Sequence, residues 1–419
     1  MNALLAAGRV DVTPEGPLPL AGYADRAGPS AGVHDPLELN AILLEAGGRR
    51  LAVLSADALF LTAELKTHIL DEAGRELGLD DASLLCTASH THSAPALDPS
   101  KPRLGAVAPA YAEFVARRAV ALLRDVGRGP RVPCRVTYRA GAAEHAINRR
   151  RLGWQLSPLP RRGVVRAPNP AGPRDEALHV FRCDAADGRP LALLWSYACH
   201  PVGFPDHRSV SADFPGVARA RLRAALGAEL PVVFLQGCAG DIRPRELAPG
   251  RTFARRLAER VMGKLFTPFT PAEYAAWAES LAQRVADLAR EATAGHALDI
   301  APRAAHARFA LDEILDGAPA GCSVTAQRIE LSADARITAL SAEPVAEYGL
   351  ALRAREGGIV VPVGYSDSVF GYLPSARMLG QHGYEDEGFM PAFGITGRFR
   401  PDVERLTLAA CERLRRADD

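Results

Sequence analysis

The sequence predicts an α/β fold in which mixed sheets are covered by helices within one large domain. Short runs rich in Val, Leu and Ile alternate along the chain with longer segments of helical periodicity. Continuous apolar runs are typical of strands that are buried on both faces, and the helices between them supply that cover. With 419 residues, the chain can bury a large core without disulfides or a structural metal.

The first half of the chain shows this alternation most clearly. The predicted buried strands are Leu51–Ala56, Ser83–Ala88, Leu191–Tyr197 and Pro231–Gln236. The predicted helices are Ala63–Leu77, Pro109–Val126 and Phe214–Leu226. Residues 127–175 are dense in Pro and Arg and hold no period, so we predict a long surface loop there.

The second half begins with two predicted helices, Arg251–Leu265 and Ala272–Ala294. They make residues 249–296 a candidate helical insertion in a single domain that spans residues 1–419. The second helix carries an apolar stripe at steps of three and four residues, which predicts a face packed on the core. The stripe consists of Tyr274, Trp277, Leu281, Val285 and Leu288. Further on we predict a strand at Ala335–Ser341 and helices at Pro344–Arg355 and Val403–Arg415.

Charge and cysteine usage exclude several classes of protein. The 50 Lys and Arg residues against 49 Asp and Glu give a net charge of +1, which excludes a strongly basic nucleic-acid binder. The seven cysteines form no C-x-x-C pair, so neither a disulfide framework nor a cysteine-based zinc module is predicted. Because neither a signal peptide nor an apolar run of membrane-spanning length is seen, we expect a soluble, cytoplasmic protein. The excess of Ala and Arg over Lys is typical of a GC-rich bacterial coding sequence.

Three histidines follow predicted buried strands at the points where those strands leave the sheet. His90 and His92 come after Ser83–Ala88, and His200 comes after Leu191–Tyr197. Sites of α/β proteins usually lie at this edge, and residues two apart in extended chain face the same side. Imidazole nitrogens suit a zinc ion. A polar pair that is merely hydrogen-bonded at a strand end remains the alternative for His90 and His92.

Three acidic residues are candidates for a further metal ligand: Asp213, Asp241 and Glu343. Asp213 precedes a predicted helix and can equally cap it. Glu343 follows the strand Ala335–Ser341 and so lies at a third strand exit, where its carboxylate could complete a zinc site of the His₂Glu type. The chain has no H-E-x-x-H, G-x-S-x-G, Walker A or G-x-G-x-x-G motif, so the commonest hydrolase and nucleotide-binding sites are not predicted.

A series of ordered motifs runs through nearly the whole chain. The motifs are Gly8–Pro14, Leu20–Tyr23, Gly32–Leu37, Thr87–Pro95 with H-T-H-S-A-P, Asn148–Arg150, Ala198–Pro201, Ser211–Gly216, Gln236–Asp241, Ala342–Pro344, Gly371–Tyr372 and Tyr384–Glu385. Taken together, they resemble the catalytic domain of the neutral (non-lysosomal) ceramidases, zinc-dependent amidases that split N-acyl sphingosine into fatty acid and sphingosine.

The resemblance implies a fold, a zinc cofactor and a set of site residues. The implied zinc ligands are His90, His200, Glu343 and Tyr372. The implied catalytic residues are His92, beside the reacting water, and Arg149 and Tyr384, which line the scissile amide. We therefore expect a hydrolase of lipid metabolism that cleaves a small N-acyl substrate with metal-activated water. Hydrolysis of a non-lipid ester, lactam or amide at the same site, and a non-catalytic binding role, remain alternatives.

The sequence departs from the family at two places. Family ceramidases usually carry a C-terminal immunoglobulin-like domain, whereas only one predicted helix follows Pro401 here. Arg243 stands where the family element G-D-[IV]-S-P has serine, and its guanidinium cannot act as a nucleophile because it stays protonated. We expect Arg243 to recognise an anionic group on the substrate. His207 and His382 are expected to be surface histidines whose loss costs little.

Overall fold

Strands and helices alternate through most of the chain, and the computed structural model describes residues 3–24, 26–155 and 161–416. The strands are β1 Ala3–Asp11, β2 Gly32–Val33, β3 Glu38–Ala46, β4 Arg49–Ala56, β5 Leu84–Ala88, β6 Val132–Ala142, β7 Ala146–Gln155, β8 Arg161–Asn169, β9 Ala177–Ala185, β10 Pro190–Tyr197, β11 Ser209–Val210, β12 Val232–Gln236, β13 Ile242–Pro244, β14 His296–Ala297, β15 Arg303–Ala310, β16 Leu315–Asp316, β17 Ser323–Ser332, β18 Ala335–Leu340, β19 Glu343–Pro344, β20 Ile359–Val363, β21 Tyr372–Leu373 and β22 Arg398–Phe399. The helices are α1 Ala63–Ile69, α2 Arg75–Leu77, α3 Pro109–Arg128, α4 Asp213–Leu226, α5 Phe253–Met262, α6 Pro271–Glu291, α7 Ala346–Arg355, α8 Met390–Phe393 and α9 Val403–Arg416.

A nine-stranded mixed sheet forms the centre of the fold. Its strands lie in the order β12-β10-β9-β6-β1-β3-β4-β5, and β14 pairs with β6. The pairs β10–β12 and β4–β5 are parallel, whereas the strands between them pair antiparallel. The sheet curls until its two ends approach, since Ser55 Oγ on β4 donates a hydrogen bond to Phe234 O on β12 at 2.8 Å.

A second sheet, ordered β15-β17-β18-β20, packs against the first. The two sheets share one apolar core, in which Ile337 and Val361 of the second sheet join Leu85 and Val233 of the first. Helix α3 packs on β1 and β3, and α6 packs on α4, β6 and β9. Both faces of the large sheet are therefore covered, which confirms the predicted α/β class.

The predicted elements outside residues 127–175 are present within a few residues of their expected bounds. The first predicted helix is observed as α1 and α2, joined by a π-helical turn at Leu70–Gly74. The stripe on α6 faces the core as predicted, with Trp277 only partly buried. Helix α5 differs from α6 because none of its residues is buried. Among the described residues, no helix combines the length and the apolar character needed to cross a bilayer.

The prediction of a long loop over residues 127–175 is wrong. This stretch contains the end of α3 and the strands β6, β7 and β8, of which β7 and β8 form a hairpin. Its buried arginines hid the strand pattern. Arg149 and Arg150 are buried on β7 because both form ion pairs with the buried Glu385. Charged residues thus occupy positions where a sequence pattern expects apolar ones.

Candidate metal centre

The carboxyl ends of three strands are joined by one short segment that follows β20. Gly364 N donates to Gln236 O at the end of β12, at 2.9 Å. Tyr365 O accepts a hydrogen bond from Ala88 N at the end of β5, at 3.1 Å, and Tyr365 N donates to Ala342 O just after β18, at 2.8 Å. Because β12 pairs in parallel with β10, the strand that precedes His200, the polar side chains that follow β5, β10 and β18 are brought to one place.

Four of the predicted site residues meet there, and their ligand atoms face one another. The Nε2 atoms of His90 and His200 lie 3.1 Å apart. Glu343 Oε2 lies 3.3 Å from the first nitrogen and 3.5 Å from the second, and Tyr372 Oη lies 3.4 Å from His200 Nε2. All four side chains are buried. An edge of about 3.3 Å belongs to a tetrahedron whose bonds are about 2.0–2.1 Å, as in zinc sites.

The hydrogen bonds of the two imidazoles fix which ring nitrogen is free. His90 Nδ1 lies 3.0 Å from Leu59 O, and His200 Nδ1 lies 2.8 Å from Ala239 O. A carbonyl oxygen only accepts, so each Nδ1 carries the proton and each Nε2 of a neutral ring carries a lone pair. Burial, followed by the neighbouring charge of His90, lowers the pKa of His200 well below its usual value, which favours the neutral ring.

The close approach of these ligand atoms is energetically unfavourable unless a cation lies between them. When both rings are neutral, their Nε2 lone pairs face each other at 3.1 Å, and Glu343 Oε2, which has no hydrogen-bond partner among the described residues, lies within 3.5 Å of both nitrogens. Buried acceptors that face one another repel, whereas a divalent cation placed between them would bind all of them. The donor set of two imidazoles, one carboxylate and one phenol therefore fits a metal such as zinc.

His92 lies beside this set. Its Nε2 atom is 3.3 Å from His90 Nε2, and the ring nitrogens of His90, His92 and His200 lie within 4.8 Å of one another. The Nδ1 atom of His92 is buried and has no hydrogen-bond partner among the described residues. Burial, followed by the charge of His90, also lowers the pKa of His92 well below its usual value. The imidazole can therefore act as a further ligand or accept a proton at the centre.

Arg149 and Tyr384 border the same group from the side of β7. Arg149 donates to Glu385 Oε1 at 2.8 Å and to Tyr372 Oη at 3.3 Å. Its guanidinium carbon lies 5.6 Å from the centroid of the Tyr384 ring, and Tyr384 is 41% exposed. Burial favours a high pKa for Glu385, but the charges of Arg149 and Arg150 outweigh burial and hold that pKa below its usual value. The structure thus brings all seven predicted site residues together.

Three features of the centre were missed by sequence reasoning: the backbone conformation of His90, the packing of Tyr365 on its ring and the role of Glu385. His90 adopts a left-handed backbone conformation with φ of 64°, which is strained for a residue other than glycine. Its ring is held between Phe60 and Tyr365, whose centroids lie 5.1 and 4.3 Å away. Tyr365 lies in a connection between strands and belongs to no motif, so the sequence offered no signal for it. Glu385 was part of a recognised motif but had no assigned role.

The other acidic candidates do not lie at the metal centre. Asp241 accepts hydrogen bonds from the first backbone N–H of α7 at Ala346, at 2.8 Å, and from the Asn148 side chain. Asp213 begins α4 and accepts from the backbone N–H of Gly203 and from Tyr274 Oη, at 3.1 and 3.0 Å. Both carboxylates satisfy buried donors and hold loops in place.

The remaining polar candidates are also engaged elsewhere. Arg243 forms an ion pair with Glu246, and its guanidinium carbon lies 4.5 Å above the centroid of Phe266. His207 and His382 are exposed, as predicted. His382 pairs with Glu387 at 3.0 Å.

Known proteins resemble this chain in structure rather than in sequence. No protein-family model matches the sequence, and no curated protein matches it significantly. The structure of a neutral ceramidase from Pseudomonas aeruginosa superimposes with a TM-score of 0.74 at 15% identity, over 99% of this chain and 73% of that one. A structure described as ceramidase complexed with C2 gives a TM-score of 0.72 at 15% identity, over 96% of this chain and 73% of that one. The chain therefore has the fold of neutral ceramidase.

Proposed function

We propose that the protein is a zinc-dependent hydrolase that cleaves the amide bond of an N-acyl substrate. The observation that carries the proposal is the convergence of buried ligand atoms from His90, His200 and Glu343 at 3.1–3.5 Å from one another. The fold shared with neutral ceramidase gives this site a precedent in amide hydrolysis. It supports the reaction class.

His90, His200, Glu343 and Tyr372 would hold the zinc ion. Zinc in such a site supplies Lewis acidity and lowers the pKa of water to about 7. Arg149 would keep the Tyr372 oxygen in place through its hydrogen bond of 3.3 Å. Leu59 O and Ala239 O would orient the two imidazoles through Nδ1, which is the usual arrangement around a metal ligand.

Three further side chains would serve the reaction itself. His92 would accept a proton at Nε2, because that atom faces the centre and the ring is not tied to a carboxylate. Arg149 and Tyr384 would donate hydrogen bonds to the negative oxygen that develops on the amide carbonyl. A well-placed donor of this kind contributes about 3–4 kcal/mol to transition-state stabilisation. Since Tyr384 is partly exposed, the substrate would enter from its side.

The proposal is tested by metal analysis combined with a turnover screen. The purified protein should contain about one zinc per chain, and removal of the metal by a chelator should abolish cleavage of N-acyl amides until zinc is restored. A screen of acyl chains of graded length, with esters and lactams in parallel, would identify the bond that is cleaved. Turnover of esters or lactams alone would replace the amidase assignment. A metal-free, fully folded protein without turnover would establish a binding role instead.

Gly22→Ala is expected to lower activity about 10- to 100-fold while zinc content stays the same. Gly22 has φ of +104°, and a Cβ atom at this position would lie 2.4 Å from His92 Nδ1, so the imidazole would have to move. Gly28→Ala is the matched control, because Gly28 also has a positive φ, of +73°, but nothing lies near its added Cβ. Both variants carry the backbone strain, and only the first displaces His92. Equal activity of the two variants would contradict a role for His92 in turnover.

A further inference from the structure

Several arginines surround the metal centre, and most of them have a partner. Arg149 and Arg150 share the carboxylate of Glu385, and Arg243 pairs with Glu246. Arg26 forms no ion pair with a described residue, but its guanidinium donates to Ala21 O at 2.9 Å and to His92 O at 2.7 Å. Each of these four arginines therefore donates hydrogen bonds to a carboxylate or a carbonyl group of the protein.

Arg166 differs from all of them. It lies on β8 directly opposite Arg150 of β7, in the hairpin that also carries Arg149. Within residues 3–24, 26–155 and 161–416, its side chain has no hydrogen bond and no ion pair. Among the described residues, this guanidinium with its five donors therefore has no hydrogen-bond or ion-pair partner.

The surroundings of Arg166 are those of a cleft rather than an open surface. The side chain is accessible to water, yet burial by neighbouring groups lowers its pKa to about 10, and the like charges of Arg149 and Arg243 add to that shift. Tyr372 and Tyr23 act on the same pKa in the opposite direction, so both phenols lie near the guanidinium. Tyr23 packs on His92 with ring centroids 4.9 Å apart. The charge of Arg166, which has no partner among the described residues, therefore lies near the metal centre.

We propose that Arg166 binds a carboxylate of the substrate, so that the enzyme acts on N-acyl compounds that carry a negative charge near the amide. The planar guanidinium can form two parallel hydrogen bonds with a carboxylate, and the anion would relieve the repulsion among Arg149, Arg166 and Arg243. This inference rests on the proposed amidase function and adds the class of its substrate. The sequence suggested that Arg243 recognises an anionic group of the substrate. Because Arg243 pairs with Glu246, we assign this role to Arg166.

The first test compares matched substrates that differ only in charge. N-hexanoyl derivatives of glycine, 4-aminobutyrate and 6-aminohexanoate place the carboxylate at increasing distance from the amide, and the corresponding terminal amides are their neutral controls. We expect the zinc-loaded enzyme to prefer one carboxylate over its amide in kcat/KM. Arg166→Gln should lower that preference about 10- to 100-fold, as expected for a charge-assisted hydrogen bond in a cleft. Arg166→Lys should recover part of it, because the charge remains and the paired donors are lost.

Arg162→Gln is the control variant. Arg162 lies on the same strand and is exposed, and its guanidinium carbon is 6.0 Å from the centroid of the Trp154 ring. Its replacement by Gln changes the net charge by the same amount as Arg166→Gln. Its substrate preference should match that of the unmodified enzyme. A preference for the neutral amides, or equal effects of the Arg162 and Arg166 substitutions, would overturn the inference while leaving the amidase proposal intact.

A binding measurement separates this inference from the proposed function. In 4-oxononanoate the amide N–H of N-hexanoylglycine is replaced by CH₂, so the compound cannot be hydrolysed, and 4-oxononanamide is its neutral counterpart. Calorimetry should show tighter binding of the carboxylate, and Arg166→Gln should remove the difference. Such a result supports the anion site even if no amide is cleaved. Equal binding of the two compounds by the unmodified protein would contradict it.

Discussion

His200→Ala is expected to abolish zinc binding and to lower kcat/KM for the amide substrate by at least about 10³-fold. The substitution removes a buried ligand atom that lies 3.1 Å from His90 Nε2 and 3.5 Å from Glu343 Oε2. Metal-ion catalysis contributes several kcal/mol to transition-state stabilisation, and each 1.36 kcal/mol corresponds to a factor of ten in rate. Zinc content by mass spectrometry and steady-state kinetics, measured on the same preparation, check both parts.

Two further variants make this result interpretable. Glu343→Gln removes the ligand charge with almost no change in volume, so it should lose zinc affinity while the fold is kept. His296→Ala removes an exposed histidine that pairs with Asp334 at 2.6 Å, far from the strand ends that form the centre, and should keep both zinc and activity. If His200→Ala and His296→Ala behaved alike, the assignment of the metal centre would be wrong.

Arg149→Gln is expected to lower kcat about 10²- to 10³-fold with little change in zinc content. The guanidinium reaches Tyr372 Oη at 3.3 Å and would donate to the developing oxyanion, an interaction made mainly in the transition state. Glu385 keeps Arg150 as its partner in this variant, so no buried carboxylate is left unpaired. Rapid-quench or steady-state kinetics would therefore show a loss in kcat rather than a rise in KM.

Arg150→Gln is the matched control for this prediction. Arg150 shares Glu385 with Arg149, and its other contacts are with Asp386 and Gln381 rather than with the Tyr372 oxygen. Each variant removes one of the two partners of Glu385, so denaturant unfolding should show similar losses of stability. Only Arg149→Gln should lose activity by two orders of magnitude or more. A comparable loss in both variants would mean that the arginines support the fold and not the reaction.

The elements that could be predicted from the sequence are those whose pattern is local. The strands that end at Ala88 and Tyr197 are continuous apolar runs, because both faces of the large sheet are covered. The strand that ends at Leu340 is recognisable for the same reason. Polar residues that follow such apolar runs are easily recognised in the sequence, so His90, His200 and Glu343 could be predicted as candidate ligands.

The elements that could not be predicted depend on pairing over long distances. β7 carries the buried Arg149 and Arg150, whose charges are neutralised by Glu385, more than 200 residues away in sequence, and no local pattern shows this. Tyr372 was reached only through the resemblance to a known family, because a buried tyrosine in a short strand looks like any core aromatic. The partner of Arg243, Glu246, and its contact with Phe266 are likewise tertiary features that no local pattern shows.

The sequence by itself determined the α/β class, most helices and strands, and the residue types able to bind zinc, because periodicity and strand ends are properties of short segments. Only the tertiary structure decided that the ligand atoms of His90, His200, Glu343 and Tyr372 face one another, and that Arg166 alone among the neighbouring arginines has no described partner. The physical reason is that ligand geometry and charge compensation depend on distances between segments that are remote along the chain, and local patterns contain no information on those distances.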